Sequence, residues 1–423
     1  MKKIMMMAMM VVASATAFAG DSDAFKALKK NLKGLAFAEA EAQVKNSIDQ
    51  LANAQEKAAA YNMLVDLAYD AFNKQSTIMT ENQAMKQIGG TEKPVDEALM
   101  TESAYNAIMM ALECDKYDQQ PNEKGKVAPK FAAKNAQRLW VARNTFINAG
   151  QAAAQQHDDA GIIKYWGTFV DTFNNPFFAA ERSAFDKLDE NVKKDQLNLL
   201  GQVAYFAGSH SQKTGLVAKA REYYEIAADN QFVDEEIRNA AHNSVLTLMR
   251  EGLKDKADTL RVLEEYKQMY SQKPDDDLLM NAIYVMYSEL KDKDSMRSLL
   301  DARLEKDPNN YMALANKGLM AMEDNNADEA INYLSKAVDI QPENSVVRMY
   351  LGICYNAKAS TTSETDPAKA KEIFKLAIDQ FDKCKELDPD MMQSRWGYNR
   401  YQAYYNYYGE DAPETKQAEA DSK

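Results

Sequence analysis

Residues 310–344 read NYMALANKGLMAMEDNNADEAINYLSKAVDIQPEN. Leu314, Gly318 and Ala321 recur at helical spacing in the first half, and Ala330, Leu334 and Ala337 do so in the second. Apolar residues three and four apart mark one face of an α-helix, so the stretch predicts two amphipathic helices. Between them Asp324-Asn325-Asn326-Ala327 supplies residues that tolerate tight turns. Pro342 closes the unit, because a proline cannot continue the helical hydrogen-bond ladder. Small residues at Gly318, Ala330 and Ala337 allow close helix approach, while Leu314, Leu334 and Val338 fill the spaces between.

The same punctuation recurs. Pro274, Pro308 and Pro342 are separated by 34 residues twice over. Pro389 follows 47 residues after Pro342, thirteen more than the period, and the polar run from Lys358 to about residue 370 reads as an inserted loop. A fixed period of this size marks a repeat architecture in which each unit needs its neighbours to bury its apolar face. With Tyr311 at position 1, Leu314, Gly318, Ala321, Ala330, Leu334, Ala337 and Pro342 fall at positions 4, 8, 11, 20, 24, 27 and 32. This pattern resembles the tetratricopeptide repeat, with Lys317 and Ala321 as departures where that family prefers Leu and Tyr. The next unit carries Leu351, Gly352, Tyr355, Ala377, Phe381 and Cys384 in equivalent places.

The fold expected is therefore all-α, an α-solenoid of antiparallel helix pairs. Residues 275–390 read as regular repeats and 140–274 as degenerate ones, with Leu200-Gly201, Ala220, Tyr224 and Ala227 in one and Ala149, Gly161, Tyr165 and Thr168 in another. In residues 20–139, Leu64, Leu67 and Ala68 predict a first helix and Ala104, Ile108 and Ala111 its partner, around an insertion holding Gly89-Gly90 and Pro94. Residues 391–409 read as a capping helix and 410–423 as a disordered tail.

Composition agrees with this class. Only 16 of 423 residues are Gly and 10 are Pro, too few for the many turns of a sandwich or barrel. Met1-Lys2-Lys3, the apolar run from Ile4 to Val12 and the small-residue site Ala17-Phe18-Ala19 have the layout of a secretory signal peptide. Cleavage near Ala19 would deliver an exported chain, periplasmic or secreted, with no transmembrane segment in its mature part. The formal charge of −13 repels phosphate backbones, so a nucleic-acid partner is not expected. Cys114, Cys354 and Cys384 are too few for a disulfide framework. Free buried thiols and a Cys354–Cys384 bridge both remain open.

No catalytic motif is present: there is no G-x-S-x-G, H-E-x-x-H or glycine-rich phosphate loop. His157, His210 and His242 are scattered, and the carboxylates of Asp275-Asp276-Asp277 and Glu235-Glu236 sit at helix starts, where they complement the helix dipole. No enzyme activity, cofactor or metal is expected. Lys124, Lys126 and Lys130 read as a solvated loop, and Tyr165, Phe169, Phe173 and Phe177 as core.

The resemblance implies a binding groove along the first helix of each repeat. Its positions fall on Met312, Ala315, Leu319, Met322 and Glu323 in one unit and on Val346, Met349, Ile353, Asn356 and Ala357 in the next. That is an apolar, Met-rich surface suited to a protein or peptide partner in the envelope. The carboxylate clamp of some family members is missing, because Ala315 and Leu319 occupy its first two positions. In the last helix, Tyr401, Tyr404, Tyr405 and Tyr408 read as the packed face. Trp396, Arg400, Ala403 and Tyr407 form a second stripe that, with Tyr404, reads either as a partner site or as part of a cap with exposed tyrosines, and the exposed aromatics of this helix offer an envelope glycan as the alternative ligand. An exported hydrolase without a local signature is the remaining alternative.

Overall fold

The computed structural model describes residues 21–122 and 125–422, so the expected signal peptide and Lys124 lie outside the described residues. Among the described residues the regular structure is helical throughout, without strands. The chain is an all-α solenoid of antiparallel helix pairs. It forms two compact units that divide at Leu248/Met249.

The first unit contains α1 (Asp23–Asn31), α2 (Phe37–Ser47), α3 (Ala54–Gln87), α4 (Glu97–Asp118), α5 (Ala132–Ala142) and α6 (Thr145–Gln155). It continues through α7 (Asp159–Phe173), α8 (Ala179–Phe185), α9 (Glu190–Lys213), α10 (Val217–Ala228) and most of α11 (Glu235–Arg250). The expected first pair is α3 and α4, with Leu64, Ala68, Ala104, Ile108 and Ala111 buried, while Leu67 faces outward. The insertion between them is mostly helix: α3 runs 34 residues before Gly89, at φ 69°, ends it.

The second unit contains α12 (Lys256–Gln272), α13 (Asp277–Glu289), α14 (Lys293–Lys306), α15 (Tyr311–Glu323), α16 (Ala327–Ile340), α17 (Ser345–Ser363), α18 (Pro367–Leu387), α19 (Gly397–Tyr408) and α20 (Pro413–Asp421). From α13 to α18 each helix is N-capped by an Asn or Asp whose side chain accepts from the backbone three residues on: Asp276, Asp292, Asn310, Asn326, Asn344 and Asp366. Each cap satisfies a helix-end N–H that has no intrahelical partner and typically adds about 1 kcal/mol. Within the aspartate run, Asp276 is a cap, while Asp275 and Asp277 accept from the buried Arg303 at 3.2 and 3.1 Å.

The repeat is held by one contact in which a glycine meets a large side chain of the partner helix. A Cβ on Gly318 would stand 2.5 Å from Leu334 Cγ, sixteen residues on. Gly208 meets the Tyr224 ring at 2.9 Å with the same spacing. Gly150 meets Trp166, again sixteen residues on, so the register in this repeat is one residue later than the Ala149/Tyr165 pairing read from sequence. Gly208, not Gly201, is therefore the close-approach position opposite Tyr224, and Gly201 packs on Asn230 and Val233 instead. Lys317 replaces the usual Leu by laying its stem inward and donating to Asp301 at 2.5 Å, with its ammonium over the Tyr333 ring.

The thirteen inserted residues after Lys358 do not form a loop. They lengthen both helices of their pair, to 19 residues in α17 and 21 in α18. Ala359, Ala370, Ile373 and Phe374 bury themselves in the added turns and give these turns a core of their own.

Candidate functional site

The expected groove residues divide into those that the fold leaves accessible and those it consumes. Met312 and Leu319 on α15 and Ile353 on α17 are half-buried, as are Met322 and Val346. Met312 leans on a cluster of Met280, Met296, Leu300 and Met320, and Ile353 on the cluster around Phe381. Ala315 and Met349 are buried, and Glu323 and Ala357 are exposed. Met349 is lost to the groove because α19 packs on it through Trp396, Ala403 and Tyr404. Polar groups join neighbouring first helices: Asn316 Nδ2 donates to Asn281 Oδ1 at 3.3 Å, and Asn356 Nδ2 donates to the Asn399 carbonyl at 3.0 Å. The Oδ1 of Asn356 is enclosed and accepts no hydrogen bond.

At the C-terminal end the structure exchanges the two faces assigned to the last helix. Trp396 is 1% exposed and donates its indole N–H to the Asp388 carbonyl at 2.8 Å. Arg400 is 7% exposed. It donates to Asp382 Oδ1 at 2.6 Å, to Asp421 Oδ2 at 2.9 Å and to Tyr404 Oη at 3.1 Å. Tyr404 in turn donates to Asp382 Oδ2 at 2.9 Å, so α18, α19 and α20 meet in one charged network. Burial alone would pull the Arg400 guanidinium down, but Asp382, then Tyr404 and Asp421, hold it above its ordinary value. Burial, followed by Asp382, pushes the Tyr404 hydroxyl up to about 12. Tyr407 is half-buried against the core of the lengthened helices. Trp396, Arg400, Tyr404 and Met349 are therefore interior residues, and the proposed stripe is not a free surface.

The reason lies in the segment read as a disordered tail. Residues 413–421 form α20, which buries Thr415 and Ala418 and supplies Asp421 to Arg400. Thr415 Oγ1 donates to the Gly409 carbonyl at 2.8 Å. The helix expected from residue 391 starts only at Gly397, because the Asp388 carboxylate gathers the N–H groups of Met392, Gln393 and Ser394 into a turn. Those donors hold Asp388 below the usual carboxylate range. With the inner stripe consumed, Tyr398, Tyr401, Tyr405 and Tyr408 carry the outward aromatic surface.

In the first unit the predicted aromatic core is present, with Phe169 and Phe173 buried and Tyr165 half-buried; Phe177 lies beyond α7. Sequence reading missed the residue these rings surround. Arg143 is buried, with its guanidinium 4.5 Å from the Trp140 ring and 4.3 Å from that of Phe169, donating to the Phe169 carbonyl at 2.6 Å. Burial, then the nearby Arg182, lowers its pKa.

His210 Nδ1 lies 2.6 Å from Asp159 Oδ1, which also pairs with Lys213. Cys114, Cys354 and Cys384 are free and buried. Burial pushes the Cys354 and Cys384 thiols up to about 11 and about 12, and that of Cys114 further. Among the described residues no helix is long and apolar enough to cross a membrane.

No protein-family model matches the chain, and no curated protein is similar to it in sequence. Solved structures with related architecture are distant. The human IFIT1 dimer with m7Gppp-AAAA is 14% identical, with a TM-score of 0.36 over 82% of this chain and 72% of that one. The P58(IPK) TPR domain is 12% identical, with a TM-score of 0.30 over 95% and 98% of the two chains. A circular tandem repeat protein is 10% identical, with a TM-score of 0.23 over 94% and 89%.

Proposed function

We propose that this chain is a non-enzymatic scaffold that binds a protein or peptide partner in the bacterial envelope, along the first helices of the repeats in its second unit. One observation carries this reading: Met312, Leu319, Met322, Val346 and Ile353 sit on successive first helices and keep part of their apolar surface in solvent. Flexible thioether and aliphatic side chains on neighbouring rigid helices suit an adaptable peptide surface. The envelope location rests on the leader-like residues 1–19 alone. The glycan alternative rests on the exposed aromatics of the last helix; burial takes Trp396, Arg400 and Tyr404 out of it and leaves Tyr398, Tyr405 and Tyr408.

The test has two parts. The full chain expressed with its leader in a Gram-negative host should be recovered from the periplasm with an N-terminus at Gly20; a cytoplasmic, uncleaved product overturns the location. Envelope proteins captured by the purified chain should be lost on Leu319→Glu with Ile353→Glu while the fold is kept. Unchanged capture by that variant overturns the groove.

A further inference from the structure

We propose that the outward face of α19, the row Tyr398, Tyr401, Tyr405 and Tyr408, receives an extended, arginine-bearing segment of a protein partner, with guanidinium planes lying on the tyrosine rings. This deepens the scaffold reading and rests on it for the class of partner, while using residues other than those of α15 and α17.

The four tyrosines stand at i, i+3, i+7 and i+10, one face of the helix, over about 15 Å of its axis. Tyr398 is 63% exposed, Tyr405 41% and Tyr408 46%, and Tyr401 between them is half-buried against the Trp396 cluster. Ring centroids lie 6.4 Å apart for Tyr398–Tyr401 and 6.1 Å for Tyr401–Tyr405, while the Tyr408 ring stacks on that of Tyr404 at 5.6 Å. An extended peptide presents alternate side chains on one side at roughly 6.6 Å, close to this pitch. The ring row therefore matches a segment with a side chain of interest at every second residue.

Charge selects what that side chain is. Between Gly397 and Ser422 the chain carries Glu410, Asp411, Glu414, Glu419 and Asp421 against only Arg400 and Lys416. Both of these cations are already engaged, Arg400 by Asp382 and Asp421 and Lys416 by Asp411. The α20 helix packs on α19, with Ala418 in the cluster that Tyr401 lies against, and Glu419 follows it in the chain; partial desolvation and then Glu419, Tyr405 and Glu410 push the Tyr401 hydroxyl up. An electron-rich ring face beside carboxylates attracts cations, and a planar guanidinium stacks on it better than an ammonium. Exposed rings that a neutral ligand could also use thus sit in a field that favours a basic one.

The experiment uses the full chain with tyrosine rings isotopically labelled. It is titrated at low salt with an Arg-Ser-Arg-Ser-Arg-Ser peptide, the matching lysine peptide and a neutral cello-oligosaccharide. The arginine peptide should shift the Tyr398 and Tyr405 ring signals and bind more tightly than the lysine peptide. Tyr398→Leu with Tyr405→Leu should weaken it about five- to thirty-fold, the loss of two exposed cation–ring contacts. Tyr398→Leu alone, at the most exposed site, repeats the test if the double variant melts early. Glu410→Gln with Glu419→Gln should weaken binding and flatten its salt dependence. Equal binding of both peptides, binding indifferent to the tyrosine changes, shifts produced only by the oligosaccharide, or concentration-dependent shifts from a second copy would each overturn the proposal. If these titrations fail while Leu319→Glu with Ile353→Glu still abolishes envelope capture, this proposal falls and the groove reading stands.

Discussion

Gly352 lies under the ring of Phe381, such that a Cβ added to it would stand 2.7 Å from Cζ. Gly318 makes the same contact with Leu334 only sixteen residues away, but here the thirteen inserted residues stretch the separation to twenty-nine. The helices grow and the contact is conserved in kind, so the glycine and its large partner define the repeat better than the loop length does.

That relationship can be tested by filling the space. Gly352→Ala sets a methyl group against a rigid ring edge, and Ala330→Leu overfills the fully buried position next to Leu334. Overpacking of this kind costs about 1–3 kcal/mol, which for Gly352→Ala should outweigh the gain in helix propensity of up to about 1 kcal/mol. Thermal melts of both variants should fall by several degrees. An unchanged melting temperature for both would remove the register.

Much of this architecture was legible before any coordinates. Proline spacing, Asn and Asp caps and the small-residue positions around Gly318, Ala330 and Ala337 are local signals, each tied to one backbone requirement. Ala149 and Gly150 are both small, so the sequence does not choose between the two registers; the close approach of Gly150 to the Trp166 ring does. The faces of α19 were harder for a different reason. Seven aromatic residues lie between Trp396 and Tyr408, so hydrophobic periodicity could not separate inside from outside. The deciding feature was Asp421, a carboxylate in a polar segment twenty-one residues from the Arg400 it binds.

The Arg400 network should therefore matter for stability. Arg400→Ala removes the buried cation that Asp382 and Asp421 share, leaving Asp421 with Lys385 at 2.6 Å, and removing one partner of a buried ion pair costs up to about 3–5 kcal/mol. Since Asp382 is partly exposed, about 2–3 kcal/mol is expected here. Truncation before Pro413 should destabilise the same region by removing Asp421, Thr415 and Ala418 together. Hydrogen exchange of α19 amides should rise in both variants; protection that stays unchanged would mean that α20 does not hold α19.

The cysteines predict a simple chemical outcome. With Cys354 and Cys384 held at about 11 and about 12 and Cys114 raised further, almost no thiolate is present at pH 8. A thiol-specific chromogenic reagent should find no reactive group in the native chain and three after denaturation. Only one reactive thiol after denaturation would mean that Cys354 and Cys384 are bridged.

The turn at Asp388 predicts a pH dependence. Its carboxylate accepts the N–H groups of Met392, Gln393 and Ser394 and the Ser394 hydroxyl, the last at 2.9 Å, and these donors lower its pKa in the folded chain. A depressed folded-state pKa means that the unfolded chain takes up the proton first as pH falls. The associated stability is thus fully present above the unfolded-state value of about 3.9 and is lost as pH drops through the lower folded-state value. Asp388→Asn removes the titrating group and one acceptor oxygen, so the variant should be less stable at neutral pH. Its stability relative to the parent should recover as pH falls from about 5 towards 3. Parallel melting curves for parent and variant across that range would show that Asp388 keeps an ordinary pKa, and that the turn before α19 is held by something other than this carboxylate.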